Sequence, residues 1–231
     1  MTASDNEPEL DRIRAEQAAR QARAAAVVNA RREAGIDERI LGCTPYQAAV
    51  VVALAARRTT AVSDLPKAEE DFEEFGKLIQ AAERMNLAYL VSAPASTVTA
   101  EVSARLEEII GTDDFPVENP GGSEGAFQSA AVSIAFLRDV WTLKNLSYAR
   151  SALNYAFYSF ANKLDRQLPT PPAEPLDEAE TACQSADLDA VTALGEPITV
   201  EQYDELAAAP ESVALGHAYR ARVAEIIAAG Q

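Results

Sequence analysis

Along most of this chain apolar residues return every three or four positions, the period of a helix with one buried face. From about Glu7 to Ala34 the sequence is rich in Ala, Arg, Glu and Gln and closes on Gly35, which predicts one long N-terminal helix. Its apolar stripe (Leu10, Ile13, Ala24, Val27, Val28) is thin, and Glu16 with Arg20 makes an i,i+4 pair on its outer side. So thin a stripe suits a projecting arm, a coiled-coil strand that docks on a partner, or a frayed terminus. The next start is sharply written. Thr44 as N-cap, Pro45 at the first helical position and Gln47 three residues after the cap form a capping box. Ala48 to Ala56 is then apolar on every side, as in a buried central helix, with Arg57 and Arg58 at the negative end of its dipole. Val50, Val51 and Val52 would also suit a buried strand, but the cap and the alanines favour helix.

Beyond Pro66 and a run of acids, Ala68, Phe72, Phe75, Ile79, Ala82 and Met85 predict a strongly amphipathic helix, with Leu87–Val91 prolonging it or running extended. A shorter helix from about Ala100 to Ile110 buries Val102, Leu106, Ile109 and Ile110. Gly111 to Gly125, dense in Gly, Pro and acid, reads as a long loop. Phe127, Ala130, Ile134, Leu137 and Trp141 mark a further helix. Ala149, Leu153, Phe157, Phe160 and Leu164 mark the core face of the next, Leu146 to about Leu168, and the two are expected to pair as a helical hairpin. PTPPAEP, 169–175, cannot be helical and is the best boundary candidate. After it come a short helix ending at Gly195, a second capping box in Thr199 and Gln202, and a last helix through Leu215, Tyr219, Val223, Ile226 and Ile227. The expected fold is therefore all-α, a multi-helix bundle with a long N-terminal helix and an acidic, short-helix C-terminal segment. The expected units are 1–35, an Ala/Arg-rich helix or arm; 36–168, a helical core domain; and 169–231, a Pro-rich linker with the acidic helices.

Charge sharpens this picture. The formal net charge is −16, and the last 63 residues hold 12 acids against 2 bases, so they carry −10 of it. Such a segment repels phosphate, which disfavours direct nucleic-acid binding through it, and it steers a basic protein towards itself. The plainer reading is a solvated face that keeps the chain soluble. No apolar run is long enough to cross a membrane, and the first residues are charged where a signal peptide needs its apolar stretch, so a cytoplasmic protein is expected. Cys43 and Cys183 are too few for a disulfide framework.

Candidate chemistry is sparse. His217 is the only histidine, which excludes a histidine-rich zinc site, and no nucleophile signature accompanies it. Gly121, Gly122 and Gly125 lack the ending of a P-loop and the spacing of a dinucleotide fingerprint. Asp113, Asp114 and Glu118 form a DDxxxE arrangement that resembles, over six residues, the aspartate-rich metal motif of prenyl-chain enzymes. In those enzymes the acids converge from a helix on magnesium. Here Gly111 and Pro116 break the helix around them and no second such motif follows, so a solvated loop is expected. No catalytic residue, metal ligand or cofactor is assigned. The most unusual stretch is Tyr148 to Phe160, which holds five of the fifteen aromatics. Phe157 and Phe160 fall on the core face, and Tyr155 and Tyr158 on its flank beside Ser151, Asn154 and Asn162. Packing at the bundle's margin with the hydroxyls in water is the plainer reading of such tyrosines, and a contact surface is the sharper one.

The leading expectation is a non-catalytic protein-binding helical protein, of the inhibitor, immunity or adaptor type, acting on a basic protein partner. Its contact residues are Tyr155, Tyr158, Glu201, Asp204 and Glu205. The alternatives are a structural subunit of a larger assembly, or a homo-oligomer, docking through the N-terminal helix, and an enzyme or small-ligand protein with a cavity around Trp141 and Tyr155.

Overall fold

The computed structural model describes residues 7–64, 71–93, 95–110, 122–168 and 172–229. Among them every regular element is helical. The elements are α1 (Glu7–Glu33), α2 (Ile36–Leu41), α3 (Pro45–Thr60), a 3-10 turn (Ala61–Asp64), α4 (Asp71–Leu90), α5 (Ser96–Ile110), α6 (Gly122–Leu143) and α7 (Leu146–Asn154). A π-helical segment (Tyr155–Ala161) leads into α8 (Asn162–Gln167), and α9 (Leu176–Ala193), α10 (Val200–Ala207) and α11 (Pro210–Ala228) follow.

α3 is the axis of the molecule. Its start is set by the expected capping box: Gln47 N–H donates to Thr44 Oγ1 at 3.1 Å and Thr44 N–H to Gln47 Oε1 at 3.1 Å. Because Ala48 to Ala56 offers no polar face, the helix can be stable only if covered on all sides, and every one of those residues is buried. The cover comes from α6, α7, α9, α10 and α11. Burying each of Val50, Val51, Val52 and Leu54 is worth about 1.5–3 kcal/mol, so this one helix anchors a large part of the hydrophobic stabilisation. α4 and α5 form a hairpin that leans on α6, and α6 pairs with α7 through a turn at Lys144 and Asn145. There Lys144 adopts a left-handed conformation (φ 52°) and Asn145 caps α7 by accepting from Ser147 N–H.

The sequence pattern and the structure part company at several places. Gly122 to Gly125 belong to the first turn of α6 rather than to a loop; glycine costs a helix only about 1 kcal/mol per residue, and Gly125 is buried in the packed face. Residues 111–121, with Asp113, Asp114 and Glu118, lie outside the described residues, as do Pro66, Ala68 and the first three residues of PTPPAEP. The side chains of Leu10, Ile13, Glu16, Arg20, Phe72 and Ile110 are likewise outside the description. α5 begins at Ser96, a full turn earlier than its apolar positions indicate. In α1, Val27 is buried but Val28 is exposed, and Arg31 is buried in its place. In α11, Ile227 faces solvent.

Of the C-terminal helices only α10, with 8 residues, is short: α9 has 18 and α11 has 19. Their apolar residues are sparse because part of the face they turn inward is polar, as described below. Both pack on α3, and one apolar cluster takes in Leu54 and Phe160 from before residue 169 together with Leu188, Tyr219 and Val223 from after it.

Candidate functional site

α10 is positioned by the second capping box. Gln202 N–H donates to Thr199 Oγ1 at 3.2 Å and Thr199 N–H to Gln202 Oε1 at 2.9 Å. With the first turn fixed, Tyr203 and Ala207, one turn apart, point inward, while Glu201, Asp204 and Glu205 all point to solvent. Tyr203 is almost wholly buried, and burial pushes its hydroxyl up to about 12 against the opposing pull of the Arg57 charge. Asp204 pairs with Arg57 of α3 at 3.7 Å, with both side chains at least half exposed. Hydrogen bonds from its own N–H and from the Thr199 hydroxyl hold the Glu201 carboxyl below the usual range.

A slot of about 240 Å³ opens between α3, α4, α6 and α10. Ala53, Ala56, Ile134 and Leu137 make its apolar wall, and Arg57, Glu83 and Asp204 are the charged residues of its lining. Leu87, at its edge, is 39% exposed. Three of the expected contact residues are thus gathered on one short helix, with Asp204 at an apolar slot.

The other two expected residues lie elsewhere. Tyr155 is half-buried with its ring 5.5 Å from Phe136; burial raises its hydroxyl pKa, partly countered by a hydrogen bond with Ser129. Tyr158 is exposed and stands edge-on to Phe157 at 4.5 Å. Both line a separate cleft. Trp141 and Tyr155, expected around one cavity, line different clefts: Trp141 stacks on Tyr89 at 4.8 Å, meets Tyr46 edge-on, and donates its indole N–H to Asn86.

The largest constellation of charge escaped the sequence pattern altogether. Arg58, read as a dipole-facing cation, is buried and reaches into α9. Its Nε and Nη2 donate to the two oxygens of Glu180 at 3.3 and 3.0 Å, and Nη1 donates to Asp187 at 2.6 Å. Tyr219 of α11 donates to Glu180 at 2.7 Å. Gln184 donates to Glu180 at 2.9 Å and to the Leu153 carbonyl at 3.0 Å, and its own oxygen accepts from Arg31 at 2.6 Å. Arg31 lies over the Phe157 ring, 4.8 Å from its centre, and also donates to Asn154. Burial alone would lower the Arg58 pKa, but Glu180 and Asp187 outweigh it and hold it well above the ordinary value. The Tyr219 hydroxyl is pushed far up by burial and by the Glu180 charge beside it. Arg58 thus meets two buried carboxylates directly, while the buried Arg31 joins them through Gln184, its Nη2 3.6 Å from Asp37 and without a hydrogen-bond partner among the described residues. This arrangement fixes α1, α3, α9 and α11 together. One signal was available: Glu180, Gln184 and Asp187 recur at i, i+4, i+7, the period of a buried face, interleaved with Cys183, Leu188 and Val191.

Among the described residues no three His, Cys, Asp or Glu side chains converge as metal ligands. His217 is exposed on α11, and Cys43 and Cys183 are free and buried, burial pushing the Cys183 thiol up to about 11. No helix among the described residues is long and apolar enough to cross a membrane. Comparison of the chain with protein-family models, curated proteins and solved structures gives no match.

Proposed function

We propose that the chain is a non-catalytic protein-binding protein that engages a basic protein partner through α10, in the manner of an inhibitor, immunity-type protein or adaptor. The observation that carries this reading is the outward set Glu201, Asp204 and Glu205 on a helix whose inward side is locked by Tyr203, with Asp204 at an apolar slot. Acids at the rim give fast, steered association, and an apolar side chain of the partner entering the slot gives a desolvated anchor. The tyrosine flank suits this partner less, because Lys163 and Arg166 border Tyr155 and Tyr158 and present like charge to it. A cytoplasmic setting belongs to the same reading, since two buried free thiols fit a reducing compartment.

The test is affinity purification of the tagged wild-type chain and of the E201K/D204K/E205K variant, each at low and at high salt. A stoichiometric basic partner held by the wild type at low salt, released at high salt and lost by the variant is the expected result. Equal retention by the variant removes the reading. Recovery of the chain alone as a defined oligomer would favour a structural subunit instead.

A further inference from the structure

The cleft that holds Tyr155 and Tyr158 carries chemistry of a different kind from α10, and it shares no lining residue with the α10 slot. It measures about 570 Å³, within the range of small-molecule sites. Ser129 of α6 forms one side. The π-helical segment and α8 supply the rest, among them Ser159, Asn162, Lys163, Arg166 and Gln167. In a chain of net charge −16 this lining holds two cations and no carboxylate.

The backbone contributes to the arrangement. The N–H of Asn162 bonds to the carbonyl of Phe157, five residues back, so the helix widens just where the cleft opens. Such π insertions recur at functional sites. Phe157, Phe160 and Ala161 stay in the core, while Tyr158 is left exposed and Ser159 and Lys163 half-exposed along the cleft. Lys163 and Arg166 are three residues apart on α8 and hence neighbours on its surface. Lys163 is half-buried at the cleft, and that partial burial lowers its pKa. Gln167 lines the cleft, and its Oε1 is buried with no hydrogen-bond partner among the described residues. The Asn162 amide is oriented from behind by its bond to the buried Asp177 at 2.7 Å.

We propose that this cleft binds a small hydroxylated phosphate monoester, a sugar phosphate or nucleoside monophosphate. Lys163 and Arg166 receive the phosphate, Ser129, Ser159 and Gln167 address hydroxyls, and the Tyr158 ring covers the body of the ligand. Charge-assisted bonds to the two cations supply most of the discrimination against the dephosphorylated compound.

The experiment is calorimetric titration of the full-length protein with ribose 5-phosphate, adenosine 5′-monophosphate, ribose and inorganic phosphate. The expected result is sub-millimolar binding of at least one phosphate ester, with ribose silent and inorganic phosphate weaker than the ester. K163Q/R166Q should then weaken the ester by about ten- to a hundredfold while melting like the wild type. Should that pair fail to fold, R166Q alone and Y158A, both at exposed positions, must each weaken the ester. Absence of binding by every probe overturns the proposal. So does binding that the cation variants leave unchanged, or inorganic phosphate binding as tightly as the esters. The α10 variant E201K/D204K/E205K must leave ester binding intact, which keeps this outcome separate from that of the partner reading.

Discussion

α9 ends at Ala193 and α10 begins at Val200, and both belong to the segment that carries most of the chain's negative charge. In α9, Glu180 is wholly buried and Asp187 nearly so, each bonded to Arg58, whereas in α10 Glu201, Asp204 and Glu205 stand in water. The same residue types therefore act as internal fasteners in one helix and as an outward field in the next. Summed charge describes only the second use. A carboxylate taken out of water must be matched by a cation and by hydrogen bonds, and one left in water need not be.

The sharpest way to break this contrast is to remove the cation. Arg58→Met strands Glu180 and Asp187 in the core and is expected to cost about 3–5 kcal/mol in urea unfolding. Replacing Arg58, Glu180 and Asp187 together by apolar residues should recover most of that loss, since the stranded charge goes with them. If Arg58→Met unfolds at the wild-type urea concentration, the network does not fasten the helices.

A second effect comes from the buried tyrosine beneath α10. The Tyr203 hydroxyl stands at about 12 in the folded protein against an ordinary value of about 10. Between these values the unfolded chain has released a proton that the folded chain retains, so stability falls as pH rises. At about 1.4 kcal/mol for each unit, and with each state half-titrated at its own end of the range, Tyr203 alone accounts for a loss of about 2 kcal/mol from pH 10 to 12. Denaturation curves across that range should show the slope, and Tyr203→Phe should make it shallower. Tyr219, Tyr155, Tyr46, Cys43 and Cys183, also raised by burial, act in the same direction and add to the slope.

The smallest effect on stability belongs to the outward acids. E201K/D204K/E205K should move the melting temperature by no more than about 2 °C while abolishing retention of the basic partner. A large drop in melting temperature would mean that α10 is a structural fastener like α9.

Much of the helical frame was legible beforehand. Thr44–Gln47 and Thr199–Gln202 are local signals between residues three apart, and both boxes form as written. The apolar positions of α6 and of the run from α7 into α8 likewise lie in the core, because apolar period alone decides which face is covered. The candidate sites were legible only in part. Glu201, Asp204 and Glu205 were identified and do share a helix, but the slot beside Asp204 is made by α3, α4 and α6, whose meeting no local pattern encodes. Tyr155 and Tyr158 were singled out as a flank, yet Ser129, which faces them, comes from a different helix.

The sequence by itself determined that this chain is helical, where its capped helices begin, and that α3 must be surrounded, since these follow from capping, propensity and apolar period among near neighbours. Only the tertiary structure decided that Arg58 would meet Glu180 and Asp187 across more than a hundred residues, and that Lys163 and Arg166 would border a cleft rather than a solvated face. The reason is physical. Whether a charge is a fastener, a field or a ligand-binding group depends on how much water the rest of the fold leaves around it, and that is settled by distant residues.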